Sequence, residues 1–269
     1  MAPETYLHFL DWVYIIMSYN KYKKKFLYYL MSIDELYKNG YTVLPSLISG
    51  ETCDRLAGYL NDKIANNPDL PYNYYKGHDQ LRLPNNEADI PQEILLNTKI
   101  QDILREVFGR SYYLYSYTCN ANTASQDQPI HMDCSHFHPI KTIRDFGSPG
   151  PPIQLIVNTY LQDTDETNGS LEMVKGSHLT TDFEMGEDGE IDDKYVGERE
   201  RCNYPKGSVI IRDKRTWHRG TTNPSGKPRY MVGTSYSASW YKLSHLTFNP
   251  DAEEIFENAP FSVWNIKYE

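Results

Sequence analysis

Cys53, Leu56, Ala57, Leu60 and Ile64 recur at intervals of three and four. That spacing places them on one face of a helix, and Ser49 stands ahead of them as a cap. Ile100, Ile103, Leu104, Val107 and Phe108 repeat the pattern. There Pro91 opens the stretch, Thr98 is the expected cap and Gly109 the stop. Earlier, Ser32-Ile33-Asp34-Glu35 reads as a capping box opening a short helix that Gly40 closes, and residues 41–44 read as a strand. From Ser111 onward the period changes from helical to alternating. Residues 112–119, 153–161, 171–174, 207–211 and 229–237 each predict a strand, joined by turn residues. Helices first and short strands after predict a mainly β protein with flanking helices, its strands forming an antiparallel barrel or sandwich.

The stretches between these elements are polar. Residues 66–90 hold prolines, glycines, asparagines and tyrosines, and predict a long loop of the kind that forms lids and binding surfaces. Residues 180–203 carry Glu184, Glu187, Asp188, Glu190, Asp192 and Asp193, and predict a solvated surface loop. Residues 1–31 are rich in aromatics and predict a helical extension ahead of a main domain over 32–269. Its Lys21, Lys23, Lys24 and Lys25 read as a solvated face.

Composition narrows the function classes. A net charge of -9 over 269 residues argues against nucleic acid as a partner. The four cysteines lack metal-type spacing and no secretory signal is evident, so a cytoplasmic protein with reduced thiols is expected. The apolar run at 12–17 is too short for stable membrane insertion. A monomer or weak homo-oligomer is expected.

The candidate chemistry begins at Pro129-Ile130-His131-Met132-Asp133. On a strand, His131 and Asp133 share a face. His218, in Thr216-Trp217-His218-Arg219-Gly220, offers a third ligand. Two imidazoles and one carboxylate with open positions is the donor set of non-heme Fe(II) oxygenases. His136 and His138 keep a zinc or cupin-type site open as an alternative. Asp163, Asp165 and Glu166 lack the spacing and glycine of a calcium loop. Cys134 has no evident activating partner.

Around these residues the chain resembles a family. Gly40-Tyr41-Thr42-Val43, then His131-x-Asp133, then Asn168-Gly169-Ser170-Leu171 through Gly176-Ser177-His178, then His218 and Arg229, occur in the order seen in the phytanoyl-CoA dioxygenase family. That family uses Fe(II), 2-oxoglutarate and O2. The resemblance spans roughly residues 33–245. It implies a double-stranded β-helix (jelly-roll, cupin-like) core and iron held by His131, Asp133 and His218. It implies that Arg229 grips the distal carboxylate of 2-oxoglutarate, a role that suits a planar guanidinium. Asn158 and Thr221 are further candidates for the co-substrate. Two departures stand out: Lys175 where proline is usual in the signature, and Met231 where a hydroxyl residue is usual two positions after the arginine. Related halogenases lack the carboxylate, so Asp133 favours oxygenation over halogenation. The implied activity is oxidation of a C–H bond in a small organic molecule, by hydroxylation, desaturation or oxidative cyclisation. A specialised metabolite or amino-acid-like compound is the expected substrate class. Expected substrate contacts are Tyr75, Arg82, His136, Tyr236 and Trp240. An acyl-CoA hydroxylase of the same family, a non-catalytic jelly-roll binding protein and a zinc cupin are the alternatives.

Overall fold

The computed structural model describes residues 30–66, 72–73, 78–82, 92–133, 150–186, 190–242, 246–248 and 261–266. The lysine cluster of the N-terminal segment, Tyr75, Cys134, His136 and His138 lie outside the described residues.

A large, mostly antiparallel sheet and a small antiparallel one face each other, with helices on the outer side of the larger. The described chain opens on a helix over 30–39 (α1), then β1 (Tyr41–Leu44), α2 (Gly50–Asn66), β2 (Tyr72–Asn73) and β3 (His78–Arg82). Next come α3 (Gln92–Leu95), α4 (Thr98–Phe108), β4 (Tyr112–Asn122), β5 (Gln154–Tyr160), β6 (Glu172–Val174) and β7 (Arg199–Arg201). The last are β8 (Val209–Asp213), β9 (His218–Arg219), β10 (Arg229–Ala238), β11 (Leu246–Phe248) and β12 (Ser262–Ile266). The large sheet runs β1-β8-β5-β10-β4-β12-β11, with β3 also on β4 and β2 on β3. The small sheet runs β7-β6-β9. This is the double-stranded β-helix arrangement, mostly antiparallel strands with few helices. Among the described residues no helix is long and apolar enough to cross a membrane.

Alternation along the strands separates two interiors. Leu155, Val157 and Leu161, with Val209, Ile211, Tyr230 and Val232, pack against Cys53, Leu56 and Leu60 of α2 and Ile100, Ile103 and Leu104 of α4. The opposite face of β5 and β10 looks between the sheets. There Tyr160, Ile210 and Met231 meet Leu171, Met173 and Cys202 and form an apolar floor. A third cluster, Ile130, Met132, Val174, Ile191 and Trp217, packs behind the small sheet.

Several local expectations are corrected. Residues 30 and 31 are already helical, so Ser32 lies within α1 rather than ahead of it. Asn97, not Thr98, caps α4: its side chain accepts from the Lys99 amide at 3.1 Å. Ser49 does cap α2, accepting from Thr52 at 3.2 Å. The stretch expected as a loop at 66–90 contains β2 and β3, and β3 extends the large sheet along β4. Its only aliphatic residue, Leu81, is buried in the helix-side core, and one such residue in five gives a weak pattern. The acidic stretch at 180–203 is also more than a solvated loop. It supplies β7, buries Ile191 and forms an antiparallel bridge from Glu190 to His131.

Candidate metal centre

His131 and His218 are a cross-strand pair. Each amide donates to the other's carbonyl, at 3.0 and 2.9 Å, and the ring centroids are 4.4 Å apart. Ile130 and Met132 point into the cluster behind the small sheet, so His131 and Asp133 share the other side, as alternation requires. Asp133 is anchored by its amide to the Lys214 carbonyl at 3.1 Å. One ligand atom from each of His131, Asp133 and His218 lies within 4.8 Å of the others.

The histidines are oriented for a metal. Nδ1 of His131 faces the Pro129 carbonyl at 2.9 Å, and Nδ1 of His218 faces the Thr216 carbonyl at 3.1 Å. A carbonyl only accepts, so Nδ1 of His131 carries the proton and its Nε2 keeps a free lone pair, whereas Nδ1 of His218 lies 3.1 Å from both the Thr216 carbonyl and the donor Nη1 of Arg212. Burial, then Arg212, holds the His218 pKa well below its usual value, against the opposing pull of Asp133. It is therefore neutral, as a ligand must be. Desolvation opposes ionisation of Asp133, but Arg212, His218, Lys214 and His131 outweigh it and hold the carboxyl well below its usual range. Two imidazoles and an ionised carboxylate are a donor set that fits a divalent ion such as Fe(II).

A tied-down turn delivers His218. Thr216 donates its amide to the Asp213 carbonyl at 2.9 Å, and Arg215 pairs with the Asp213 carboxylate at 2.6 Å. The Gly40 carbonyl accepts from the Asp213 amide at 2.8 Å and the Thr216 hydroxyl at 2.9 Å. Gly40 has φ +87, and a Cβ there would run into Thr216 Oγ1 and the His178 ring. The Gly40-Tyr41 signature thus joins the end of α1 to the turn before His218.

Arg229 begins β10 on the face turned between the sheets and is buried. Its Nε donates to the Gly169 carbonyl at 3.2 Å, while Nη1 has no hydrogen-bond partner. Asn158, on the same face of the large sheet, is buried with Oδ1 unpartnered. The Asn168-Gly169 signature is the turn that presents this anchor. Asn168 Oδ1 accepts from the Asp165 amide at 3.0 Å, and Gly169 takes φ +77. Thr221 is close by but occupied: its hydroxyl donates to the Ser170 carbonyl at 2.8 Å.

The remaining substrate expectations fare unevenly. Tyr236 is a correction. It is 0% exposed and lies in the helix-side core against Tyr112 and Phe261, on the wrong face of β10 to meet a substrate. Trp240, just past β10, is 68% exposed and meets Tyr241 edge-on. Arg82 pairs in register with Thr118 of β4. Sequence reasoning missed Arg212. Its Nη2 lies 2.5 Å from Asp133 Oδ2, and its Nη1 lies 3.1 Å from His218 Nδ1. The available signal was a charge at an inward position of the apolar strand Val209-Ile210-Ile211-Arg212.

A family model described as phytanoyl-CoA dioxygenase (PhyH) matches residues 36–231. Among solved structures, AviO1 from Streptomyces viridochromogenes Tue57 is similar with a TM-score of 0.58 at 16% identity, over 80% of this chain and 96% of that one. The non-heme alpha ketoglutarate dependent epimerase SnoN from nogalamycin biosynthesis gives a TM-score of 0.61 at 14% identity, over 79% and 84%. EvdMO1 gives 0.58 at 18% identity, over 78% of this chain and 50% of that one. At these identities the likeness to the solved structures is one of fold.

Proposed function

This chain belongs to the phytanoyl-CoA dioxygenase family, and on that premise we propose that it is an Fe(II)/2-oxoglutarate-dependent dioxygenase that oxidises a C–H bond of a small organic molecule. The observation that carries the reading is the convergence of one ligand atom each from His131, Asp133 and His218 to within 4.8 Å of one another, with Nδ1 of His131 turned to the Pro129 carbonyl. A bound iron would supply O2 activation, with 2-oxoglutarate as the co-substrate that leaves as succinate and CO2.

The chain's own residues hold and orient. His131, Asp133 and His218 are the metal ligands. Arg229 receives the distal carboxylate of 2-oxoglutarate through its unpartnered Nη1, while the Gly169 carbonyl fixes the guanidinium by Nε. Asn158, with a buried and unpartnered oxygen, contacts the same co-substrate. Thr221 fixes the turn that carries Gly169; its hydroxyl acts within the protein. The apolar floor of Tyr160, Met231 and Ile210 keeps water from this end of the site.

Substrate class follows from the rest of the inward face. Register puts Ser116 opposite Ser235, and Thr118 beside Gly233, which is followed by Asn158. Asn120 accepts from Gln80 at 3.4 Å. Ser116, Thr118 and Asn120 are half-exposed, uncharged and polar. Such a surface suits a polar metabolite better than a long acyl chain.

Anaerobic addition of Fe(II) and 2-oxoglutarate is expected to produce a weak visible charge-transfer band, with succinate released in air. No band and no succinate would sink the enzyme reading and leave a binding protein. Activity with zinc but not iron would point to a cupin-type metalloenzyme. Product mass then separates the reactions. One oxygen gained means hydroxylation, two hydrogens lost means desaturation or ring closure, and an unchanged mass means stereoinversion, as the name of SnoN describes for that protein.

A further inference from the structure

Asp133 is the least supported of the three ligand candidates. It sits in a turn rather than a ladder, its backbone is held by one amide bond among the described residues, and its side chain is 27% exposed. A carboxylate so placed can swivel about its terminal torsion, which is broad and roughly two-fold. It could then present either oxygen, or both, to a metal.

Arg212 removes that freedom. It stands at the inward register position of β8 opposite Ile156 and is 2% exposed. Nη2 holds Asp133 Oδ2 at 2.5 Å. Nη1 lies 3.1 Å from His218 Nδ1 and 3.5 Å from the Thr216 carbonyl, which is itself 3.1 Å from that Nδ1. The other carboxylate oxygen, Oδ1, points toward His218 Nε2 at 3.6 Å. We propose that Arg212 is a positioning residue that makes Asp133 a one-oxygen ligand and sets its rotation relative to His218. The inference rests on the reading that His131, Asp133 and His218 hold a metal ion.

Two opposing effects decide the test. If Arg212 only balances charge, deleting it removes a cation from beside a cation site, and metal binding tightens. If it positions Asp133, deleting it weakens binding, because an unfixed ligand must be ordered when the ion arrives. Arg212→Lys separates the two cleanly. It keeps a buried cation but loses the planar two-pronged reach to Asp133 and Thr216.

The experiment titrates the full-length protein anaerobically with Co(II) and with Mn(II). It compares wild type, Arg212→Lys and Arg212→Leu, each with Asp133 intact and in an Asp133→Ala background. With Asp133 intact, Arg212→Lys is expected to raise the Co(II) Kd about ten- to hundredfold and to change the visible ligand-field bands of bound Co(II), which report ligand number. In the Asp133→Ala background the same substitution should cost clearly less, since its carboxylate target is gone and only its contact with His218 Nδ1 remains. Unchanged affinity and bands with Asp133 intact, tighter binding in Arg212→Leu, or an equal loss in the Asp133→Ala background would each overturn the assignment. Should Arg212→Leu fail to fold, Arg212→Lys carries the comparison alone. Wild-type protein that binds neither ion overturns the metal-site reading itself, a different result from wild-type binding that Arg212 does not affect.

Discussion

Arg229 and Asn158 are each buried and each keep one polar atom without a partner among the described residues, as Thr159, Tyr160 and Arg212 also do. Leaving such groups unpaired costs roughly 1–3 kcal/mol each, more for a charge. A dicarboxylate co-substrate would relieve that cost, which gives the two residues their proposed roles. Arg229→Ala is expected to weaken 2-oxoglutarate binding by about a hundredfold or more, since truncating one member of a buried charge pair costs about 2–5 kcal/mol. The Co(II) Kd should stay as in wild type. Titrating the charge-transfer band with 2-oxoglutarate, and Co(II) separately, checks both halves. Asn158→Ala removes a neutral contact, and about a tenfold loss is expected. Sequence reasoning named both residues. It also named Tyr236, which belongs to the opposite interior; its parity along β10 matches Val232 and Tyr230, not Arg229 and Met231. Alternation makes that parity readable, but only once it is known which face is packed by helices.

At the scale of elements, the site is assembled by turns that tie the two sheets together. Gly169 illustrates the constraint. A Cβ there would lie 2.6 Å from Asn122 Nδ2, 2.9 Å from the Thr222 carbonyl and 3.0 Å from the Thr221 carbonyl, in a backbone conformation with φ +77. Gly169→Ala is therefore expected to destabilise the protein by about 2 kcal/mol, and to displace the carbonyl that holds Arg229. A lower Tm together with a raised Kd for 2-oxoglutarate, and unchanged Co(II) binding, is the predicted result. An unchanged 2-oxoglutarate Kd would mean that the turn does not set Arg229. The β6–β9 pair is locked from outside by Arg219, which donates to Glu172 at 2.8 Å and lies 3.3 Å from Asp127. That network follows His218 directly in sequence, so the same short strand carries a proposed metal ligand on one residue and its external brace on the next.

For the whole molecule, two linkages make measurable claims. A metal and co-substrate that bind the folded chain alone should stabilise it by about 2.7 kcal/mol when present at a hundred times Kd. Thermal melts with Mn(II) plus 2-oxoglutarate, against EDTA, should differ by several degrees. The second linkage is acid sensitivity. His178 is buried, donates from Nε2 to the Tyr37 carbonyl at 3.1 Å, and has its pKa lowered, chiefly by desolvation. A histidine with a depressed folded pKa costs nothing above its unfolded value of about 6.5. Below that value the unfolded chain takes up a proton that the folded chain refuses, so stability falls as pH drops, by at most about 1.4 kcal/mol per unit for each such group. His78 contributes in the same direction. His178→Gln preserves an N–H for the Tyr37 carbonyl and removes the titration. Urea denaturation at pH 7.5, 6 and 5 should show a shallower loss for the variant, and parallel curves would refute the assignment.

The sequence alone determined the class of fold and singled out the three proposed metal ligands. Both follow from local rules: the 3.6 period of α2 and α4, the two-residue period from β4 onward, and the same-face placement of His131 and Asp133. The signature turn at Asn168-Gly169 was legible too, because its residue types answer to backbone conformation. Only the tertiary structure decided which face of the large sheet meets the helices, and so removed Tyr236 from the site. It alone added β3 to the large sheet and brought Ile191 and Glu190 against the histidine strand, where acidic composition had pointed to solvent. It alone placed Arg212 against Asp133, 79 residues away in the chain. Ion pairs and sheet faces depend on register and packing between distant segments, and no local period in the sequence encodes them.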